Sequence, residues 1–314
     1  MNPINTILQR YPAIILDGAM ATELEQRGCD LDDPLWSARV LLDNPSLIQQ
    51  VHTDYFAAGA DCAISASYQA TFQGFARRGL GVKAAANLMR RAVRLAVEAR
   101  NSFWAVGANR ANRPRPIVAA SVGPYGAFLH DGSEYRGDYG LTEDELMDFH
   151  RPRMAVLADA GADILAIETI PCLVEAVAIT RLLREFPGTS VWISFSAKDG
   201  AHICNGESFA ACAALVSAHP QVAAVGINCT PPQFVADLVT AARRVTDTPI
   251  VVYPNSGEIY HAEGRRWSGV AGSTAYGAQA RQWYAAGAQI IGGCCRTGPD
   301  HIREIAKILR NAER

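Results

Sequence analysis

The chain lacks an excess of charge of either sign, and it lacks an apolar run long enough to cross a membrane. Lysine and arginine number 29 against 31 aspartates and glutamates, giving a net charge of −2, whereas nucleic-acid-binding proteins usually carry a basic excess. No apolar run approaches the roughly 18 residues that span a bilayer, and the first residues do not resemble a signal peptide. We therefore expect a cytoplasmic protein that binds neither nucleic acid nor membranes.

A disulfide framework is also disfavoured. The 314 residues include 8 cysteines, an even count that would suggest disulfides in a small secreted protein. In a chain of this size without an export signal, reduced thiols are the expectation, and most of them should be small buried hydrophobic residues. The adjacent pair Cys294 and Cys295 needs a separate explanation.

No linker, low-complexity segment or block of like charge interrupts the chain, so we predict one domain over residues 1–314. Short apolar runs alternate with amphipathic helical patterns along its whole length. The predicted strands are 13–17, 62–67, 117–122, 164–168, 191–196, 223–228, 250–254 and 289–293. The predicted helices are 46–58, 83–102, 143–160, 174–185, 209–218, 234–245, 278–286 and 300–311.

This alternation predicts the fold class. Nearly continuous apolar strands separated by helices are typical of a parallel sheet that is buried on both faces, and eight such units match an α/β (β/α)8 TIM barrel. A doubly wound open sheet is the alternative, but no G-x-G-x-x-G motif or phosphate loop follows the first strand. Ala-Gly-Ala recurs at 58–60, 160–162 and 286–288, where a glycine fits the left-handed position after a helix.

Active sites of such barrels lie at the carboxyl ends of the strands, which makes the residues after each strand the candidates. Three of them are cysteines: Cys229 after the sixth strand, and Cys294 and Cys295 after the eighth. Three clustered thiolates repel one another without a cation, and three soft ligands with an open fourth position suit a catalytic zinc. The alternative interpretation is three small buried residues.

A zinc ion on three thiolates carries a net charge of about −1, so it activates water poorly but can hold an incoming thiol as a nucleophilic thiolate. This chemistry indicates alkyl transfer onto a thiol. Glu168 is placed to accept an ammonium group, and backbone N–H groups after Asp17 and Gly18 are placed to hold a carboxylate. Together these groups describe an amino-acid thiol as the substrate.

Five separated motifs carry a family resemblance. They are Asp-Gly-Ala-Met-Ala-Thr (17–22), Glu-Thr (168–169), Gly-Ile-Asn-Cys (226–229), Asn-Ser-Gly-Glu (255–258) and Gly-Gly-Cys-Cys (292–295). In this order, and over essentially the whole chain, they resemble the zinc-dependent homocysteine S-methyltransferase family. The segment 121–139 is most similar to the branch that uses S-methylmethionine.

The resemblance implies a barrel enzyme that makes methionine, with one zinc ion per chain on Cys229, Cys294 and Cys295. The donor it implies is S-methylmethionine, with S-adenosylmethionine as a slower candidate. It also assigns homocysteine recognition to five positions and places a sixth near the metal. These are Asp17, the backbone of Ala19 and Met20, Ser67 and Glu168, with Asn255 near the metal.

A sulfonium donor is a cation, which the face of an aromatic ring attracts. The candidate donor contacts are Trp36, Tyr125, Tyr135 and Tyr139, with Tyr68 as a further aromatic residue; packing is the alternative for each. Glu134 and Asp138 could complement the donor's charge, but we interpret them as a solvated loop face.

The predicted partners are thus two small molecules, homocysteine and S-methylmethionine, and the protein is expected to be a monomer or a small homo-oligomer. The competing hypothesis is a non-enzymatic zinc–thiolate store or thiol redox sensor. A store or sensor would need the three cysteines, but it would not need Asp17, Glu168 and Asn255 at the other strand ends.

Overall fold

The computed structural model describes residues 2–29, 36–261, 266–268 and 272–311. Eight of its strands form one parallel sheet, in the order β1-β10-β7-β6-β5-β4-β3-β2, and β8 and β9 form a separate antiparallel hairpin. The strands are β1 (Ile14–Ile15), β2 (Cys62–Ile64), β3 (Ile117–Val122), β4 (Ile164–Ile170), β5 (Val191–Phe195), β6 (Val222–Asn228), β7 (Ile250–Tyr253), β8 (Ile259–His261), β9 (Arg266–Ser268) and β10 (Ala288–Ile291).

The sheet closes between its two outer strands. A parallel bridge joins Leu16, just after β1, to Cys62 in β2, and the Asp17 N–H donates to the Cys62 carbonyl at 3.0 Å. The predicted (β/α)8 barrel is therefore confirmed, and the doubly wound open sheet is wrong. The hairpin β8–β9 was not predicted from the sequence.

Two aspartate side chains complete the join between β1 and β2, which we call the seam. At the amino end of the strands, Asp61 Oδ2 accepts the N–H of Ile15 at 3.2 Å. At the carboxyl end, Asp17 Oδ2 accepts the N–H of Ile64 at 2.8 Å. Each carboxylate accepts a backbone N–H group that would otherwise need a carbonyl of the neighbouring strand. The two strands are short and offer few carbonyl groups for this purpose.

Helices surround the sheet, and every predicted helix is present. Their bounds are α1 (Pro3–Leu8), α2 (Met20–Gln26), α3 (Trp36–Asp43), α4 (Pro45–Ala58), α5 (Phe72–Ala76), α6 (Val82–Ala105), α7 (Tyr125–Leu129), α8 (Glu143–Ala158), α9 (Leu173–Leu182), α10 (Phe209–Ser217), α11 (Val235–Arg243), α12 (Ser273–Ala286) and α13 (Pro299–Asn311). Within the described ranges, no helix has the length and apolar character that crossing a membrane requires.

The repeated Ala-Gly-Ala turns behave as the sequence predicts. Gly59, Gly161 and Gly287 have φ angles of +88° to +121°, which a residue with a side chain adopts only under strain. Each turn brings the chain from a helix into the next strand at the amino end of the barrel. The carboxyl end is left to the longer loops, which carry the candidate site.

Candidate metal centre and substrate site

The three predicted metal ligands come together. Cys229 follows β6, Cys294 and Cys295 follow β10, and their Sγ atoms lie within 4.8 Å of one another. The Sγ atoms of Cys229 and Cys295 are 3.9 Å apart. The prediction that thiols from two different strands converge at one rim is confirmed.

The end of β7, which lies between the two cysteine-bearing strands, holds the cluster in place. The Cys229 N–H donates to the Tyr253 carbonyl at 3.3 Å, and the Cys294 N–H donates to the Pro254 carbonyl at 2.8 Å. Cys229 itself has a φ of +46°, which costs free energy for a residue with a side chain and is common at functional sites. The backbone thus turns sharply at the point where the first sulfur enters the cluster.

The sulfur atoms of Cys229 and Cys294 lie close enough to pair as a disulfide, and their Cα atoms are 5.5 Å apart. The other six cysteines are free thiols. A disulfide and a metal–thiolate centre both require sulfur atoms that approach this closely, so the same three residues can form either. Metal binding by all three requires the reduced form, because only thiolates are ligands.

The sulfur cluster fits a soft divalent cation. Burial raises the pKa of the Cys295 thiol to about 11, so without a nearby cation it stays protonated at neutral pH. A bound cation reverses this preference, because it stabilises the thiolate directly. Three sulfur donors within one cluster suit zinc and leave a fourth position for a substrate sulfur.

Two acidic residues are buried at the same rim. Burial raises the pKa of Glu168, at the end of β4, to about 7, against hydrogen bonds from Ser121 and Tyr253 that lower it. Burial also raises the pKa of Asp17 well above its usual value, and the charge of Glu168 adds to that effect. Among the described residues neither acid has an ion-pair partner. A positively charged group of a ligand would therefore offset the free-energy cost of burying both carboxylates.

A buried polar network that the sequence analysis missed lies behind Glu168. Asn228 Oδ1 accepts the Thr169 N–H at 2.7 Å and the Ser194 hydroxyl at 2.8 Å, and Asn228 Nδ2 donates to the Thr169 hydroxyl at 2.6 Å. The Ser194 hydroxyl also shares a hydrogen bond of 2.6 Å with the Tyr253 hydroxyl. The network fixes Thr169 at a φ of +62° and thereby orients the strand end that carries Glu168. The signal available in the sequence was the polar Asn228 beside Cys229.

Ser67 is close to this network. Its hydroxyl donates to the Ser121 carbonyl at 2.8 Å and shares a 2.8 Å hydrogen bond with the Ser65 hydroxyl. The Ser121 hydroxyl in turn donates to Glu168. Ser67 is therefore placed to support Glu168 through Ser121.

Only one of the two predicted backbone donors at the start of α2 is available to a substrate. The Ala19 N–H already donates to the Thr297 carbonyl at 3.0 Å. Met20 begins α2, and the first N–H groups of a helix have no partner within it. Of the predicted pair, Met20 is thus the backbone donor that is left for a carboxylate.

Asn255 follows β7, next to the residue that anchors Cys294. Its N–H donates to the Thr230 carbonyl at 3.1 Å, while its side-chain Oδ1 is buried without a hydrogen-bond partner among the described residues. A buried acceptor without a donor is costly, which is consistent with a ligand that donates to it.

The four aromatic donor candidates do not share one environment. The Tyr125 ring packs against Tyr139, with ring centroids 5.3 Å apart, and against Phe149 at 4.9 Å, so both tyrosines belong to an aromatic cluster. Tyr135 is 43% exposed. Trp36 begins α3, but its side chain lies outside the described part of the structure. Their contact with a donor remains a prediction.

Glu134 departs from the sequence interpretation as part of a solvated loop face. Its Oε2 atom is buried without a hydrogen-bond partner among the described residues, and burial raises its pKa. Asp138, from the same segment, is exposed as expected, with 72% of its side chain accessible.

Comparison with known proteins agrees with the geometry. The family model described as "Homocysteine S-methyltransferase" matches residues 14–309. A relative from Bacillus subtilis, homocysteine S-methyltransferase YbgG, is 60% identical over 311 residues, which is 99% of each chain. Crystal structures of the homocysteine methyltransferase MmuM from Escherichia coli superpose with a TM-score of 0.89 for an oxidised form and 0.87 for a metallated form. Both are 45% identical and cover 98% of this chain and 99% of that one.

Proposed function

The chain belongs to the homocysteine S-methyltransferase family, and from this premise we propose that it transfers a methyl group from S-methylmethionine to homocysteine. Methionine is then formed from both substrates. The observation that carries the proposal is the meeting of three cysteine sulfur atoms within 4.8 Å and two buried acids without ion pairs at one rim of the barrel. A zinc store or redox sensor would explain the sulfur atoms alone, and the enzyme relatives do not favour it.

The proposed cofactor is one zinc ion, held by the reduced forms of Cys229, Cys294 and Cys295. The ion would supply one thing, a positive charge that keeps the acceptor sulfur deprotonated at neutral pH. Support comes from the close sulfur atoms of this chain and from the metallated form of the E. coli relative.

The chain's own residues are proposed to fix the amino-acid end of homocysteine. Glu168, oriented by Ser121 and the network behind it, receives the ammonium group, and Asp17 adds a second negative charge nearby. The Met20 N–H at the start of α2 receives the carboxylate. Asn255 Oδ1 offers an acceptor that no described residue satisfies. These contacts hold the acceptor sulfur towards the cysteine cluster.

The proposed reaction balances without a general acid. The homocysteine sulfur attacks the methyl carbon of the donor, a sulfur–carbon bond forms, and the carbon–sulfonium bond breaks. The electron pair of the broken bond returns to the donor sulfur, which leaves as the neutral thioether of methionine. The thiol proton of homocysteine is released to solvent when that thiol binds.

A donor-competition assay tests this function. Reduced, zinc-loaded protein is given homocysteine with S-methylmethionine, S-adenosylmethionine or betaine, and methionine is quantified with and without a chelator. We expect chelator-sensitive turnover that is fastest with S-methylmethionine. Turnover with betaine alone would overturn the donor assignment. Bound zinc with no methionine from any donor would return the store or sensor to first place.

A further inference from the structure

The segment 123–142, which we call the β3 loop, connects β3 to α8 over the carboxyl end of the barrel. Two contacts fix Glu134 within it. The Glu134 carbonyl accepts the hydroxyl of Ser196 at 3.0 Å, and Ser196 is fully buried just after β5. On the other side, a side chain on Gly126 would overlap the Glu134 N–H group. The loop backbone therefore holds Glu134 against the rim from two directions.

The Glu134 carboxylate differs from the other acids of this loop. Asp131 and Asp138 both pair with Arg136, at 3.6 and 3.7 Å, and their side chains are 55% and 72% exposed. Arg136 also donates to the Ser133 hydroxyl at 2.9 Å. Glu134 has no ion pair among the described residues, and its Oε2 atom is buried without a hydrogen-bond partner among them. Burial raises its pKa more than its own N–H group and the more distant charge of Arg136 lower it. An acid in this state is costly unless something else supplies a positive charge.

The position of Ser196 places Glu134 near the cysteine cluster. Ser196 follows β5, and β5 pairs with β6, the strand that leads into Cys229. The Tyr68 ring lies against Gly123, where an added Cβ would be 2.7 Å from its Cε2 atom. Glu134 thus lies at the same rim of the barrel as the cysteine cluster, beside the end of β5.

We propose that the Glu134 carboxylate binds a positively charged group of the methyl donor. The inference rests on the proposed function and deepens it, because it names the residue that selects a cationic donor. S-methylmethionine has two such groups, the sulfonium and the α-ammonium. The sulfonium loses its charge during transfer, so contact with it favours the bound substrate over the transition state, whereas contact with the ammonium is retained throughout.

The test compares Glu134→Gln with Asp138→Asn, a matched loss of one negative charge on the same loop. For Glu134→Gln we expect the KM for S-methylmethionine to rise about tenfold to a hundredfold, as expected for a lost charge-assisted hydrogen bond. The KM for homocysteine and the zinc content of Glu134→Gln should stay within about twofold of the wild type. In Asp138→Asn the KM values for both substrates and the zinc content should all stay within that range. A second readout is the rise in melting temperature that S-methylmethionine gives the wild type, which Glu134→Gln should lose.

The chemistry of the contact is read from a second donor, dimethylsulfoniopropionate, which has a sulfonium but no amine. A loss confined to S-methylmethionine assigns Glu134 to the ammonium, and an equal loss with both donors assigns it to the sulfonium. An unchanged donor KM in Glu134→Gln, or an equal rise in the homocysteine KM, would overturn the proposal. Absence of wild-type methionine formation with S-methylmethionine would instead refute the proposed function, so the two failures are distinguishable.

Discussion

Asp61, a buried acid at the amino end of the barrel strands, has arginine partners, whereas the buried acids Asp17 and Glu168 at the carboxyl end have none among the described residues. Asp61 lies 2.6 Å from Arg310 and 3.3 Å from Arg113. Asp163, which follows the second Ala-Gly-Ala turn as Asp61 follows the first, is 33% exposed; it lies 2.7 Å from Arg100 and accepts the Val118 N–H.

At the carboxyl end the same kind of residue is left without compensation. Burial raises the pKa of Asp17 and Glu168, and their charges repel each other. The comparison teaches that burial of an acid does not by itself identify a functional group, since Asp61 is as buried as Asp17. A buried acid without a cationic partner is a candidate for function, because no interaction within the described residues offsets the cost of its desolvation.

The largest effect should come from removing a sulfur at the carboxyl end. In Cys294→Ala we expect activity to fall by at least about 1000-fold, because the acceptor thiol loses the cation that deprotonates it. Metal content by mass spectrometry of the reduced protein should fall well below one ion per chain. Cys29→Ala, which removes a thiol outside the cluster, should retain metal and activity. Full activity in Cys294→Ala would exclude the three-sulfur centre.

Next in size is Glu168→Gln, which removes a buried charge from the same rim. We expect the KM for homocysteine to rise about a hundredfold, because its ammonium group loses a buried charged partner. Although substrate binding weakens, the stability of the folded protein should increase at high pH. The pKa of Glu168 is about 7 in the folded protein and near 4.5 when unfolded, so the folded state binds more protons between these values. Its stability therefore falls as the pH rises through this window.

In the wild type this effect lowers the free energy of unfolding by about 3 kcal/mol as the pH rises, and Glu168→Gln should not show it. Urea unfolding at pH 5 and pH 8 measures the difference: the variant should be more stable than the wild type mainly at pH 8. Glu98→Gln, at an exposed helix position beside Arg94, serves as the control and should show no such pH dependence. A variant that is less stable than the wild type at pH 8 would contradict the pKa assigned to Glu168.

The smallest effect, and the most direct test of the comparison, pairs the two seam aspartates. Asp61→Asn should lower the free energy of unfolding by about 2 kcal/mol, because it leaves Arg113 and Arg310 without their charged partner. Asp17→Asn keeps an acceptor for Ile64 and removes an unpaired charge, so stability at pH 7.5 should be unchanged or higher while homocysteine binding weakens. Equal destabilisation of both variants would show that Asp17 and Asp61 contribute equally to stability, which would contradict the proposed difference between the two ends of the barrel.

The fold was predictable from the sequence because its main signal is local. A strand that is buried on both faces, such as 164–170, is an apolar run, and glycines such as Gly59 mark the turn before the next strand. The converging cysteines were also predictable, since topology alone brings the carboxyl ends of the strands to one rim.

Features that depend on three-dimensional burial were not predictable. The acids at 131, 134 and 138 look alike along the chain, and only the packing of Gly126 and Ser196 separates Glu134 from the other two. Cys229 and Cys294 are separated by 65 residues, and nothing local indicates that their sulfur atoms pair. The role of Asn228 depends on its position behind Thr169, which the pattern of an apolar strand does not reveal.

Substrate binding is expected to reduce local opening of the barrel at the seam between β1 and β2. Asp17 joins β1 to β2 twice, through its N–H to Cys62 and through its carboxylate to the Ile64 N–H, and it also faces the proposed homocysteine site. Opening of the wall at this point exposes the amide hydrogens of Asp17 and Ile64 to exchange with solvent. A bound amino acid that engages Asp17 opposes that opening, so hydrogen exchange at these two amides is expected to report occupancy of the site.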